Sequence, residues 1–415
     1  MTKMKKKVFA TLLAVSMIAS MVPAAVSVQA ADGDSIRLVN GKIEVDAQLK
    51  KLAEMYEKET GTKVEIESMG GGIDIQGTLK GYYQSDNMPD IFVNGGATDF
   101  ANWTDLLVDM SDQEWASDTD AAYVDEKQGT IGFPYTTEAI GLAYNKDILD
   151  AAGVEVPTTW DEFEEVLQKL SDAGIQPLTT GGSDKWGATR LINAYAVRTA
   201  GNDIMTKAAD GEVPYTDEKL VAAADKIAEW AEKGYFGEGI TTVDMNTAGS
   251  MLMSGKAAIF YNGSWFTQNL TDDSQNPAGE DGIGFFNIPV ADESISSATS
   301  YSMNCGNILA LDNDKYDEAT GWFLKYFMEN IGNVAMEDQG TVKGYTYDVA
   351  ADDMDNYTKL VLDEIDKSTE GFAWWEAKMP SEISKTAQEN VQPLLNGEMT
   401  GEEYMQSIQD VYDMQ

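Results

Sequence analysis

A chain of 415 residues with 70 acidic and 29 basic side chains carries a formal charge of −41, which argues against nucleic acid or an anionic membrane surface as a partner. It has no histidine, which removes Ser-His-Asp and Cys-His catalysis and the usual zinc sites. Its one cysteine, Cys305, leaves no internal disulfide.

The elements follow in chain order. Lys3, Lys5, Lys6 and Lys7 precede an apolar run from Val8 to about Met21, and Val28-Gln29-Ala30 puts small residues before a cut at Ala31. This is the pattern of a secretory signal peptide over residues 1–30. A membrane anchor fits less well, because the run is short and Pro23 interrupts its end. No cysteine follows the cut, so no lipid anchor is expected on an exported chain that is extracellular or envelope-associated.

"SIRLVN" (35–40) reads as a strand, and Leu49, Leu52, Ala53 and Tyr56 mark a helix that Gly61 stops. "KVEIES" is a second strand. A helix lies within residues 70–90, and "DIFVN" is a third strand. Strand and helix in alternation predict an α/β fold with a parallel sheet. "FPYTTEAIGLAYN" then carries Glu138 into an apolar strand.

A capping box from Thr159 to Glu162 opens a helix buried through Phe163, Val166, Leu167 and Leu170, and Gly174 closes it. "IQPLTTGG", "GKAAIFYNGSW", "GIGFFNIP" and "YSMNCGNILAL" read as strands. Helices are expected at 219–232, at "DEATGWFLKYFMEN", from about Ser381 and from Thr400, the last with a capping box to Glu403. No repeat or long linker separates the pieces, so two lobes are expected to share the chain in alternating segments.

Four strand ends carry polar groups: Asn40-Gly41-Lys42, Asn94-Gly95-Gly96, Thr137-Glu138 and Asn262-Gly263-Ser264-Trp265. Ligands of open α/β sheets bind beyond such ends, although each stretch also suits an ordinary turn. Trp186, Trp265 and the pair Trp374-Trp375 fall at loop positions, where a flat ring can stack on the apolar face of a sugar. Trp103, Trp160 and Trp230 read as packing residues. "DNDKYDEAT" lacks the glycine and glutamate of a calcium loop, and there is no P-loop or GxGxxG stretch, so no cofactor is expected.

Together "AQLKKLAEMYEKETGTKVEIE", "MPDIFVNGG", "PYTTEAIGLAYNKDILDAAGVEVPTTWDEFEEVLQKL" and "MLMSGKAAIFYNGSW" resemble a family 1 extracellular solute-binding protein, the group that includes maltose-binding protein. The resemblance implies a two-lobe α/β fold of the type II periplasmic-binding-protein kind, with the ligand in a cleft between lobes joined by hinge strands. It implies lobe one at 31–142 and 289–340, and lobe two at 143–288 and 341–415. Crossings are expected near 138–144, 284–292 and 335–345.

The implied function is capture of a sugar, of oligosaccharide size, for the permease subunits of an ABC importer, by a monomer that is not an enzyme. Asn40, Lys42, Glu44, Asn94, Asp99, Glu138, Asn262 and Trp265 carry over as ligand residues. Trp186 and Trp374 rest on the stacking argument instead. Val93-Asn94 stands where maltose-binding proteins often place an aromatic ring, a departure that disfavours maltodextrin itself as the ligand. A non-sugar solute in the same fold and a secreted carboxylate glycosidase are the competing readings, and incubation with labelled oligosaccharides separates binding from hydrolysis.

Overall fold

A computed structural model describes residues 35–41, 45–69, 74–94, 103, 106–108, 133–271, 274–311, 314–315, 318–339, 348–349, 354–374, 376 and 379–415. The first unit runs β1 (Ile36–Asn40), α1 (Asp46–Thr60), β2 (Val64–Ser68), α2 (Ile75–Gln84) and β3 (Ile91–Asn94). Gly61 ends α1 in the left-handed conformation, with its N–H bonded to the Glu57 carbonyl, as a glycine stop requires.

The long strand β4 (Phe133–Asn145) leads to α3 (Lys146–Ala152), α4 (Trp160–Asp172), β5 (Gln176–Thr179), α5 (Trp186–Ala200), α6 (Ile204–Ala209), α7 (Glu218–Glu232) and α8 (Met245–Met253). Next come β6 (Ala257–Gly263), α9 (Thr267–Leu270), β7 (Ile283–Phe286), β8 (Ser300–Leu311) and α10 (Glu318–Gln339). The chain closes with α11 (Asn356–Ile365), β9 (Glu370–Phe372), α12 (Ser381–Leu395) and α13 (Gly401–Tyr412). Both expected capping boxes form, Thr159 with Glu162 and Thr400 with Glu403.

Among the described residues the strands make one nine-stranded sheet, ordered β2-β1-β3-β8-β4-β6-β5, with β7 on β4 and β9 on β8. β1 pairs in parallel with β2 and β3, and β5 in parallel with β6. Between these two parallel sets run the antiparallel β8 and β4.

Register decides what faces what. Asn94, the last residue of β3, lies opposite Ile308 of β8, and Ile308 lies opposite Pro134. Gly263, the last residue of β6, lies opposite Ile140. β3 runs with β4 and β6 runs against it, so the two sets point their carboxyl ends at each other. Between them lies the 134–140 stretch of β4, roughly 20 Å at ~3.3 Å per residue. The register shifts at Pro134/Thr136 and Thr136/Thr137, a bulge that bends the strand inside this crossing.

The apolar cores divide the same way. One group gathers residues of 36–107 with Phe323, Leu324, Phe327, Ile331 and Val334 from α10. The other gathers residues of 142–288 with 357–408. Trp160 and Trp230 stack at 5.4 Å in the second group, and Trp103 is buried in the first with its indole N–H on Gln76 Oε1 at 3.0 Å. Arg198 of α5, wholly buried, donates to the carbonyls of Ile288, Ser297 and Ser300 and to Ser296 Oγ at 2.7–2.9 Å. It thereby ties residues 288–300, and the root of β8, to the second core. Burial lowers its guanidinium from the usual range to about 10. No described helix is long and apolar enough to cross a membrane.

Candidate functional site at the carboxyl ends of β5 and β6

β5 ends at Thr179, and the turn Thr180-Gly181-Gly182-Ser183 delivers the chain to α5. The turn is tight because a Cβ on Gly182 would meet the Ile240 carbonyl oxygen at 2.3 Å. Lys185, at φ 68° and ψ −46°, takes a γ-turn conformation just before the helix, with the Trp186 N–H on the Asp184 carbonyl at 2.7 Å, and Asp184 Oδ2 accepts from the Met245 N–H at 2.6 Å. A loop pinned in this way fixes the first side chain of α5, Trp186.

β6 ends at Gly263 and turns directly into a 3-10 segment, Ser264–Phe266. Phe266 goes into the core against Phe260, at 5.0 Å edge to face. Trp265 lies over Gly263, where a Cβ would meet its Cζ3 at 2.0 Å, so only glycine allows the ring there. Trp186 and Trp265 meet with centroids 5.9 Å apart and planes inclined by 55°.

One turn along α5, Arg190 lies over two rings, with Cζ 4.6 Å from the Trp186 centroid and 4.3 Å from that of Trp374. Its Nε donates to Glu376 Oε2 at 3.3 Å, and Thr189 Oγ1 donates to Glu376 Oε1 at 2.7 Å. Both charged side chains are largely covered, at 16% and 10% exposure. The Tyr261 hydroxyl donates to the Arg190 carbonyl at 3.0 Å, and burial pushes its pKa well above the usual tyrosine value. The result is an aromatic surface braced by a charge-assisted network.

Of the residues expected to bind, Trp186 and Trp265 come together, both half-buried. Trp374 joins the cluster in a different capacity. It is 4% exposed with Arg190 over its ring, so it braces Arg190 and offers no free platform. Asn262 is 7% exposed, and its Oδ1 has no hydrogen-bond partner. It lines a cavity of about 40 Å³ with Gly141, Ser264, Tyr301 and Glu364.

Asn40 ends β1 wholly buried, where its side chain bonds Asp46. Burial raises the Asp46 carboxyl, but hydrogen bonds from Lys50, Ser68 and Asn40 outweigh that and hold it below its ordinary value. In this conformation Asn40 therefore supports the first turn of α1 and shows no surface to a ligand. Asn94 ends β3, and Glu138 sits in the crossing opposite Asn304; their side chains lie outside the described residues, as do Lys42, Glu44 and Asp99. Sequence reasoning missed Arg190 and Glu376. The available signal was the i, i+4 spacing of Trp186 and Arg190, visible once α5 is read as a helix.

Two parallel strand sets facing each other across antiparallel crossing strands define a two-lobe α/β binding-protein fold. A solved structure of a chitin oligosaccharide binding protein superposes with a TM-score of 0.81 at 23% identity, covering 92% of this chain and 99% of that one. A sugar transporter structure from Bacillus licheniformis, in complex with stachyose, superposes at 0.72 and 19% identity, covering 91% and 98%.

The family profile described as bacterial extracellular solute-binding protein matches residues 51–360, and the chain belongs to that family, whose members are exported binding proteins. The multiple sugar-binding protein of Streptococcus mutans is 25% identical over 269 residues, 62% of this chain and 63% of that protein. The melibiose/raffinose/stachyose-binding protein MelE of Bacillus subtilis is 27% identical over 154 residues, 35% of this chain and 36% of MelE. The chain thus spans less than two-thirds of the length of these curated relatives.

Proposed function

We propose that the protein captures a sugar, of oligosaccharide size, between its lobes and hands it to the membrane subunits of an ABC importer. The observation that carries this reading is the meeting of Trp186 and Trp265 just beyond the carboxyl ends of β5 and β6. Sugars present apolar ring faces to aromatic rings and hydroxyls to amides and carboxylates, and half-buried tryptophans at a cleft suit that division. The names of the relatives, which specify sugar binding, point the same way.

Glu138, within the crossing, supplies an acceptor for sugar hydroxyls in this reading, and Asn94, Lys42 and Glu44 are the ligand residues contributed by lobe one. The ligand is bound and not turned over. Lobe one comprises 31–142 and, of the expected 289–340, the part that follows the return crossing, and lobe two comprises 143–288 with the 289–299 segment that Arg198 holds, and 341–415. The ties from Arg198 to residues 288–300 support placing the return crossing within β8. The third crossing, after Gln339, begins outside the described residues. Residues 1–30 act as a cleaved export signal, and the mature chain is an unlipidated monomer.

Isothermal titration against a panel of mono- and oligosaccharides, with chromatography of the sugar afterwards, tests this reading. Saturable binding with the sugar recovered intact is expected. Heat-silent titrations across the panel would reject it, and recovered hydrolysis products would make the protein a glycosidase.

A further inference from the structure

The turn that carries the chain from β5 to α5 leans on the segment 240–245. Ser183 donates its N–H to the Val243 carbonyl at 2.9 Å, and the Gln392 amide bridges the carbonyls of Gly182 and Thr241 at 3.1 Å each. Met245, the first residue of α8, adds two ties. Its N–H reaches Asp184 Oδ2 at 2.6 Å, and its thioether Sδ accepts from the Gly181 N–H at 2.9 Å. The hydroxyl of Thr180, a wholly buried residue, lies 3.8 Å from the same sulfur. Two glycines flank this sulfur: a Cβ on Gly181 would meet it at 2.5 Å and one on Gly187 at 3.4 Å. Gly187 follows Trp186, so the thioether joins the start of the turn to the first turn of the helix that carries the tryptophan.

Two features give this tie a consequence. The turn includes Lys185 at φ 68° and ψ −46°, a rare and strained conformation that persists only while its surroundings hold it. The acceptor is also one that chemistry can change. Met245 is partly exposed, whereas Met253 at the other end of α8 is 4% exposed. With hydrogen peroxide, the sulfur lone pair attacks one oxygen and the O–O bond breaks as an S–O bond forms. The other oxygen leaves as hydroxide and takes the proton of the first, giving water. Sulfur loses two electrons and the peroxide gains them. The sulfoxide does not fit the tie. An oxygen set between Sδ and the Gly181 N–H, at ordinary hydrogen-bond length, parts sulfur and nitrogen by about 1 Å more than at present. An oxygen turned elsewhere leaves the N–H facing an oxidised sulfur, a poorer acceptor than the thioether.

We propose that Met245 is a modification site: its thioether positions the turn before Trp186, and oxidation to the sulfoxide by hydrogen peroxide releases that turn and weakens ligand binding at the tryptophan pair. Release of the turn stands apart from the ligand, whereas the loss of affinity rests on the reading of the protein as a sugar binder.

The test treats the mature protein with graded hydrogen peroxide and quantifies sulfoxide at each methionine by peptide mass spectrometry. Met414, 76% exposed, is the reactive control. Hydrogen–deuterium exchange of the peptide 180–187 and calorimetry with a sugar that binds follow on the same samples. Met245 is expected to oxidise before Met253. Exchange in 180–187 should then rise at least tenfold and the Kd at least fivefold, and methionine sulfoxide reductases for both epimers should reverse both changes. Met245→Leu keeps the volume but neither accepts a hydrogen bond nor oxidises. It should show the faster exchange before any peroxide and no further change with it.

Met245 still reduced when Met414 is fully converted, or a sulfoxide at Met245 with exchange unchanged, overturns the proposal and leaves the sugar reading intact. Faster exchange with an unchanged Kd also overturns it, by separating the turn from the ligand. A peroxide-induced loss of affinity that persists in Met245→Leu assigns the effect to another methionine and does the same. Failure of every sugar to bind overturns the proposed function, while exchange in 180–187 still decides whether Met245 holds the turn.

Discussion

At the scale of single residues, the candidate site separates two half-buried rings, Trp186 and Trp265, from the groups that hold them. Trp265 and Trp186 are half-buried, whereas Trp374 is covered by Arg190. Trp265→Ala is therefore expected to weaken sugar binding by about 1–3 kcal/mol, one to two decades in Kd, measured by calorimetry. Trp374→Ala should cost less affinity and lower the thermal midpoint, because it removes a support of Arg190. An affinity loss in Trp374→Ala equal to that in Trp265→Ala, with the midpoint unchanged, would make Trp374 a direct ligand residue. Glu138→Gln is expected to lower affinity, since an ionised acceptor makes the stronger hydrogen bond; unaltered affinity would remove Glu138 from the site. Tryptophans expected at loops could be singled out as candidates from residue type alone. Arg190 was not, since one arginine in an unread helix carries no signal until its neighbours are placed.

At the scale of elements, local chemistry explains what could be read. Capping boxes, glycine stops and alternating strands are short-range signals, and α1, α4, α7, α13, β1, β2 and β6 follow from them. Removing one such signal, in Thr159→Ala, is expected to cost about 1 kcal/mol in a urea melt. α5 escaped because it is buried on nearly every side: Ala188, Leu191, Ile192, Ala194, Ala196 and Val197 leave no polar face to define a period. Its buried Arg198 makes four hydrogen bonds to the segment that leads into β8. Arg198→Met keeps the volume and strands those acceptors. It is expected to destabilise the fold by about 2–5 kcal/mol, read as a lower denaturation midpoint. A midpoint within experimental error of the parent would show that water replaces the guanidinium.

At the scale of the whole molecule, the arrangement depends on register. β8 pairs with β3 of one set and with β4, which also pairs with β6 of the other, and no local pattern encodes that long-range pairing. The alternation of strand and helix made the α/β class legible, whereas the position of the crossings was set by ties such as those of Arg198 to residues 288–300. Two crossing strands, one with a bulge at 134–137, join two separate cores, and relative motion of bodies joined this way is the default expectation. On the proposed function, a sugar bound between the lobes gains contacts with both only when they close, so it binds the closed state more tightly and shifts the population toward it. X-ray scattering of the mature protein, alone and with a saturating sugar identified by calorimetry, tests this most directly. The account predicts a smaller radius of gyration with ligand, and scattering curves that superpose would contradict it.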